Sequence, residues 1–133
     1  MRVPVLLMCL ALILGCSSEP ATQALPESGS EHAVIVTLQL SDSEFGTTEE
    51  RAAIFDLETK LEATIADRGV GEYDGHEIGE GKYTLYMYGA NADALFEIVE
   101  PILRETSLLD GGNAVKRYGD AADPSAEGIV VNF

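Results

Sequence analysis

Apolar and polar side chains alternate most strictly in the middle of the chain. Between Gly81 and Gly89 the order is Lys82-Tyr83-Thr84-Leu85-Tyr86-Met87-Tyr88, rich in strand-favouring tyrosine and closed by glycine at both ends. Residues 33–40 alternate too, with Val34, Val36, Leu38 and Leu40 on one side and Ile35, Thr37 and Gln39 on the other. Both stretches are predicted strands with one strongly apolar face. Between them the period changes. Ile54, Leu57, Leu61 and Ile65 recur at spacings of three and four, the stripe of a helix buried along one side. Thr47 followed by Glu50 fits a capping box at its start, and Arg68 with Gly69 closes it. Asp56 and Lys60 stand at the i,i+4 spacing of an ion pair.

Residues 70–78 form a second predicted strand, decorated by Glu72, Asp74 and Glu77 and interrupted by Gly75. Charge and a bulge-forming glycine suit the edge of a sheet. Gly79-Glu80-Gly81 turns this strand into the tyrosine-rich one. Asn91 caps a second helix with Leu95, Ile98, Val99 and Ile102 inward, Glu100 and Arg104 paired, and Pro101 expected to kink or restart it. A turn at 108–112, a strand at 113–118, a polar loop at 119–128 and a short strand at 129–133 complete the chain. The order is β-α-β-β-α-β plus one strand. This is an α+β, ferredoxin-like sandwich with two helices on one face of an antiparallel sheet and an extra C-terminal strand.

The N-terminus follows other rules. Met1-Arg2 precedes an apolar run from Val5 to Leu14, too short to span a bilayer core of about 30 Å, so it reads as a secretory signal. Ile13-Leu14-Gly15-Cys16 resembles the lipobox of bacterial lipoproteins, although Leu14 is less usual there than Ala or Ser. The resemblance implies cleavage before Cys16, lipid on its sulfur and acylation of the new amino group. It places the protein in the bacterial cell envelope, anchored to membrane by lipid, and in the outer membrane facing the periplasm if the cell is Gram-negative. The expected organisation is a signal at 1–15, lipidated Cys16 and a tether through residue 31, and one domain at 32–133. The tether, rich in Ser, Pro, Glu, Ala and Gly, would span about 20–25 Å if flexible. With Cys9 lost and Cys16 lipidated, the mature domain would hold no thiol, excluding disulfides and cysteine-based metal or redox chemistry.

Charge narrows the partners. The chain carries a formal −15, and from residue 32 onward it has 20 acidic against 7 basic side chains. Nucleic acid is excluded as a partner, as is charge-driven docking to anionic headgroups. The aromatic strand resembles the central strand of RNA-recognition modules only superficially. The segment GEYDGHEIGEGKYTLYMYGANADALF, followed later by VKRYG, is similar to small uncharacterised bacterial proteins, a resemblance that implies no catalytic assignment.

Candidate chemistry is sparse. On an unbroken strand Glu72, Asp74 and His76 would share a face, so a metal-dependent or hydrolytic centre at Asp74, His76 and Glu77 is one reading. A charged, solvated edge strand is the other, and no second motif completes a coordination shell. Ser41, Ser43 and Thr47 lie in no nucleophile motif and read as loop polarity and capping. Neither a cofactor nor an enzymatic activity is expected. Lys116-Arg117 is read as strand pairing against the acidic sheet. The strongest functional expectation is an open sheet face. If Leu85 and Met87 point at the helices, Ile35, Thr37, Thr84, Tyr86 and Tyr88 point away, offering a surface for a homodimer or an envelope protein. A structural or accessory role in an envelope complex is the alternative.

Overall fold

The computed structural model describes residues 31–42, 44–120 and 122–133. The expected signal segment, Cys16, nearly all of the tether and Ser43 lie outside them. No helix among the described residues is long and apolar enough to cross a membrane.

Among the described residues the architecture is α+β, with two α-helices and a five-stranded antiparallel sheet, broadly compatible with the ferredoxin-like arrangement. The elements are β1 (His32–Gln39), α1 (Thr48–Arg68), β2 (Glu72–Gly79), β3 (Lys82–Gly89), α2 (Ala92–Arg104), a 3-10 turn (Ser107–Leu109), β4 (Asn113–Tyr118) and β5 (Glu127–Asn132). The strands lie in the order β2-β3-β1-β4-β5. Both helices pack on the same face. Val34, Val36, Leu38, Leu85, Met87 and Ala114 from the sheet, each fully buried, meet Ile54, Leu61 and Ile65 of α1 and Leu95, Val99 and Leu103 of α2.

Local chemistry sets the helix ends. Thr47 Oγ1 accepts from Glu50 N–H at 3.1 Å while Glu50 Oε2 accepts from Thr47 N–H at 2.7 Å, the reciprocal bonds of a capping box. At the other end Gly69 takes the left-handed conformation, with φ 62°. Its N–H and that of Val70 close back on the carbonyls of Ala66 and Ile65, the Schellman pattern. Asn91 Oδ1 accepts from the N–H groups of Asp93 and Ala94 to start α2.

Two local expectations are corrected. Pro101 does not restart α2, which runs unbroken to Arg104. The exposed ring sits outside a buried stripe of Leu95, Phe96, Val99, Ile102 and Leu103 that continues past it and holds the helix together. Lys60 does not pair with Asp56. It reaches across to Glu105 just past the end of α2, because the two helices are neighbours and the longer reach joins them.

Candidate binding face

Register builds the open side of the sheet row by row. Tyr86 of β3 stands opposite Gly75 of β2 and Ile35 of β1; Ile35 stands opposite Val115 of β4, and Val115 opposite Val130 of β5. That row is apolar from one side of the sheet to the other. On one flank runs Glu72, Tyr88, Ala33, Arg117 and Gly128; on the other runs Glu77, Thr84, Thr37, Asn113 and Asn132. The five residues expected on this side, Ile35, Thr37, Thr84, Tyr86 and Tyr88, therefore adjoin one another, all half-buried, while Leu85 and Met87 are fully buried under the helices.

At the β2 end the face becomes acidic and concave. Asp74, Glu77, Tyr86 and Tyr88, with part of His76, line a shallow cleft of about 400 Å3. Tyr86 Oη donates to Glu77 Oε2 at 2.7 Å, and that bond, more than burial, raises the phenol above its ordinary range. Tyr88 is raised first by burial and then by the Asp74 charge. Both phenols thus remain donors with their rings beside carboxylates, an arrangement suited to an ammonium or guanidinium group.

The trio Asp74, His76 and Glu77 does not share a face. The ladder between β2 and β3 slips between Tyr73 and Gly75, where Gly75 adopts φ 114°, and this bulge reverses the side-chain parity beyond it. Glu72 and Glu77 consequently belong to the open side, whereas His76 pairs with Leu85 and turns under α1. There His76 Nδ1 lies 2.6 Å from Glu58 Oε1, and its ring stacks tilted on Tyr83 at 4.6 Å. The same Glu58 oxygen accepts from Tyr73 Oη at 2.6 Å and Tyr83 Oη at 3.2 Å. Burial first, then this carboxylate, pushes the Tyr73 phenol far above its usual range, and the same two causes act on Tyr83. Glu58, with only 12% of its side chain exposed, went unread in the sequence, where a glutamate in mid-helix resembles any solvated position. The one usable signal was its place one residue after Leu57, beside the buried stripe.

A second carboxylate does similar work across the sheet. Asp93 Oδ1, in the first turn of α2, accepts from Lys116 Nζ at 2.6 Å and Tyr118 Oη at 2.7 Å. Lys116 therefore serves the helix side, with its ammonium 5.6 Å above the Phe96 ring, and Arg117 the open side, where it reaches the carbonyls of the loop after β4. His32 Nδ1 accepts the N–H of Ala92 at 3.2 Å, satisfying one free donor of the helix start. Among the described residues, no group of three or more His, Cys, Asp or Glu side chains is arranged to hold a metal ion. Compared with family models, curated proteins and solved structures, the chain matches none.

Proposed function

We propose that this protein is a lipid-anchored component of the bacterial cell envelope that acts by binding a protein partner, not by catalysis. Its domain is read as a ferredoxin-like βαββαβ unit. The order β2-β3-β1-β4 supports that reading, with β1 and β3 central, β2 outside them and β5 added beyond β4. The lipobox-like Ile13-Leu14-Gly15-Cys16 carries the anchor, and the tether keeps the domain near its membrane.

The observation behind the binding role is the apolar row Tyr86-Ile35-Val115-Val130 on a sheet face that neither helix covers. An apolar centre beside an acidic, tyrosine-lined cleft fits a protein surface with a hydrophobic middle and a Lys or Arg at its rim. The charge excess of the whole domain favours the same sign of partner.

Photo-crosslinkers placed singly at Thr84 and Tyr88 of the full chain, with Phe55 on exposed α1 as the reference, test the reading in intact cells. A specific adduct is expected at the sheet positions and not at Phe55, and Tyr86→Asp is expected to abolish it while the circular dichroism stays unchanged. Equal labelling at Phe55 and the sheet positions would overturn the proposal. Fractionation of Cys16→Ser tests the anchor, and unmodified protein that still sediments with membranes through salt and carbonate washes would refute it.

A further inference from the structure

β5 ends the sheet with its outer edge uncovered by any described element. It pairs with β4 over six consecutive residues without a bulge, and Glu127 is its only charge. Ile129 and Val130 are 45% and 56% exposed. The phase of its hydrogen bonds follows from one contact: Phe133 N–H donates to the Gly112 carbonyl at 3.2 Å. Antiparallel ladders alternate residue by residue, so Val131 and Ile129 also bond inward to β4. The N–H and C=O groups of Gly128, Val130 and Asn132 then point outward, a row of donors and acceptors ready for another strand.

The sequence of β5 indicates which strand fits. Laid antiparallel on itself with Val130 on a twofold axis, Val130 exchanges both hydrogen bonds with Val130 of the second copy, and Gly128 does so with Asn132. Every outward group is used. Ile129 falls opposite Val131, and Glu127 opposite the Phe133 ring, so no acidic side chain meets another. That matters in a domain with 20 acidic side chains against 7 basic ones, since few surfaces could bring two copies together without opposing like charges. The pairing also joins the two apolar rows on the open face end to end at Val130.

We propose that the protein forms a twofold dimer by edge-to-edge pairing of β5, centred on Val130, so that one sheet runs through both copies. This rests on the β5 edge and not on the open-face reading.

The test uses the full chain with Cys9→Ser and Cys16→Ser, leaving no native thiol. Residues paired by two hydrogen bonds stand about 5.5 Å apart at Cα, within disulfide reach. Val130→Cys is therefore expected to give a covalent dimer under mild oxidation, and Ala94→Cys on α2 to give none. The cysteine-free chain is expected to sediment at twice its monomer mass. Val130→Pro removes an outward donor and no bond to β4, so it should return the monomer with the circular dichroism intact. Should that variant unfold, Val130→Lys, which sets two ammonium groups on the axis, gives the same reading. Tyr86→Asp is expected to keep the dimer. A wild-type monomer at every concentration, crosslinking at Val130→Cys no better than at Ala94→Cys, or a dimer lost in Tyr86→Asp yet kept in both Val130 variants would each overturn the proposal.

Discussion

The two edges of the sheet are built on opposite principles. β2 carries Glu72, Asp74, His76 and Glu77, is broken by the bulge at Gly75, and is tied beneath α1 through Tyr73 and His76 to Glu58. Charge, irregularity and a covering helix are three separate ways to keep a foreign strand away. β5 has none of them along its middle: Gly128, Ile129, Val130 and Val131 are uncharged, regularly paired and distant from α1. The two edges of this acidic domain therefore differ in how easily another strand could pair with them. One closes the domain, and the other is available.

The largest effect that would sharpen this contrast comes from the helix above the guarded edge. Leu61 is fully buried in the α1 stripe, so Leu61→Ala is expected to cost about 2–5 kcal/mol in chemical denaturation. Hydrogen exchange should then rise in β2 and β3 at least as much as in β5. A loss below about 0.5 kcal/mol would place Leu61 outside the core and α1 in another register.

Next comes the polar tie itself. Glu58→Ala leaves the Tyr73 and Tyr83 hydroxyls and the His76 imidazole without their common acceptor, an expected cost of about 1–3 kcal/mol. The loss should appear as faster amide exchange along β2, with β5 unchanged. If β2 exchanges no faster, its protection comes from packing and charge alone, and the contrast between the edges loses one of its three supports.

How much of this could be read in the sequence depends on the range of the interaction. Thr47 with Glu50, Gly69, Asn91 and the alternation of β1 and β3 were legible because each signal is complete within a few residues. The placement of Tyr86 beside Ile35 followed from the same alternation once the strands were paired. His76 was misplaced because a single inserted residue at the bulge reverses parity, and Gly75 announces a bulge without saying which side chains it turns over. The pairing of Lys60 and the role of Glu58 were hidden for a different reason. Their partners, Glu105, Tyr73, Tyr83 and His76, come from other elements, and a charged helix position carries no mark of which neighbour the fold will bring.

The smallest expected effect separates the two ends of the sheet by pH. Tyr73, beneath α1 on the β2 side, has its folded phenol raised, first by burial and then by the hydrogen bond to Glu58. A raised value means the stabilisation is fully present below the ordinary phenol value of 10.0 and is lost as pH climbs beyond it. Asp93, which ties α2 to β4, has its carboxyl lowered, first by the hydrogen bond from Lys116 and then by that from Tyr118. A lowered value has the opposite sign: the contribution is present above the ordinary 3.8 and disappears as pH falls through the folded value. Melting temperature measured across pH should accordingly flatten at the alkaline end in Tyr73→Phe, with the acid limb unchanged. Asp93→Asn should flatten the acid limb, by less than Tyr73→Phe flattens the alkaline one, because Asp93 is exposed and solvent screens it. It should also trim the alkaline limb, since Asp93 is the first cause that holds the Lys116 ammonium above its ordinary 10.5. A Tyr73→Phe variant that shifts the acid limb as much as the alkaline one, or an Asp93→Asn variant that leaves the acid limb unchanged, would mean that the group does not act through its own ionisation. The β2 tie and the β4 tie would then differ in position only, and not in the chemistry that holds them.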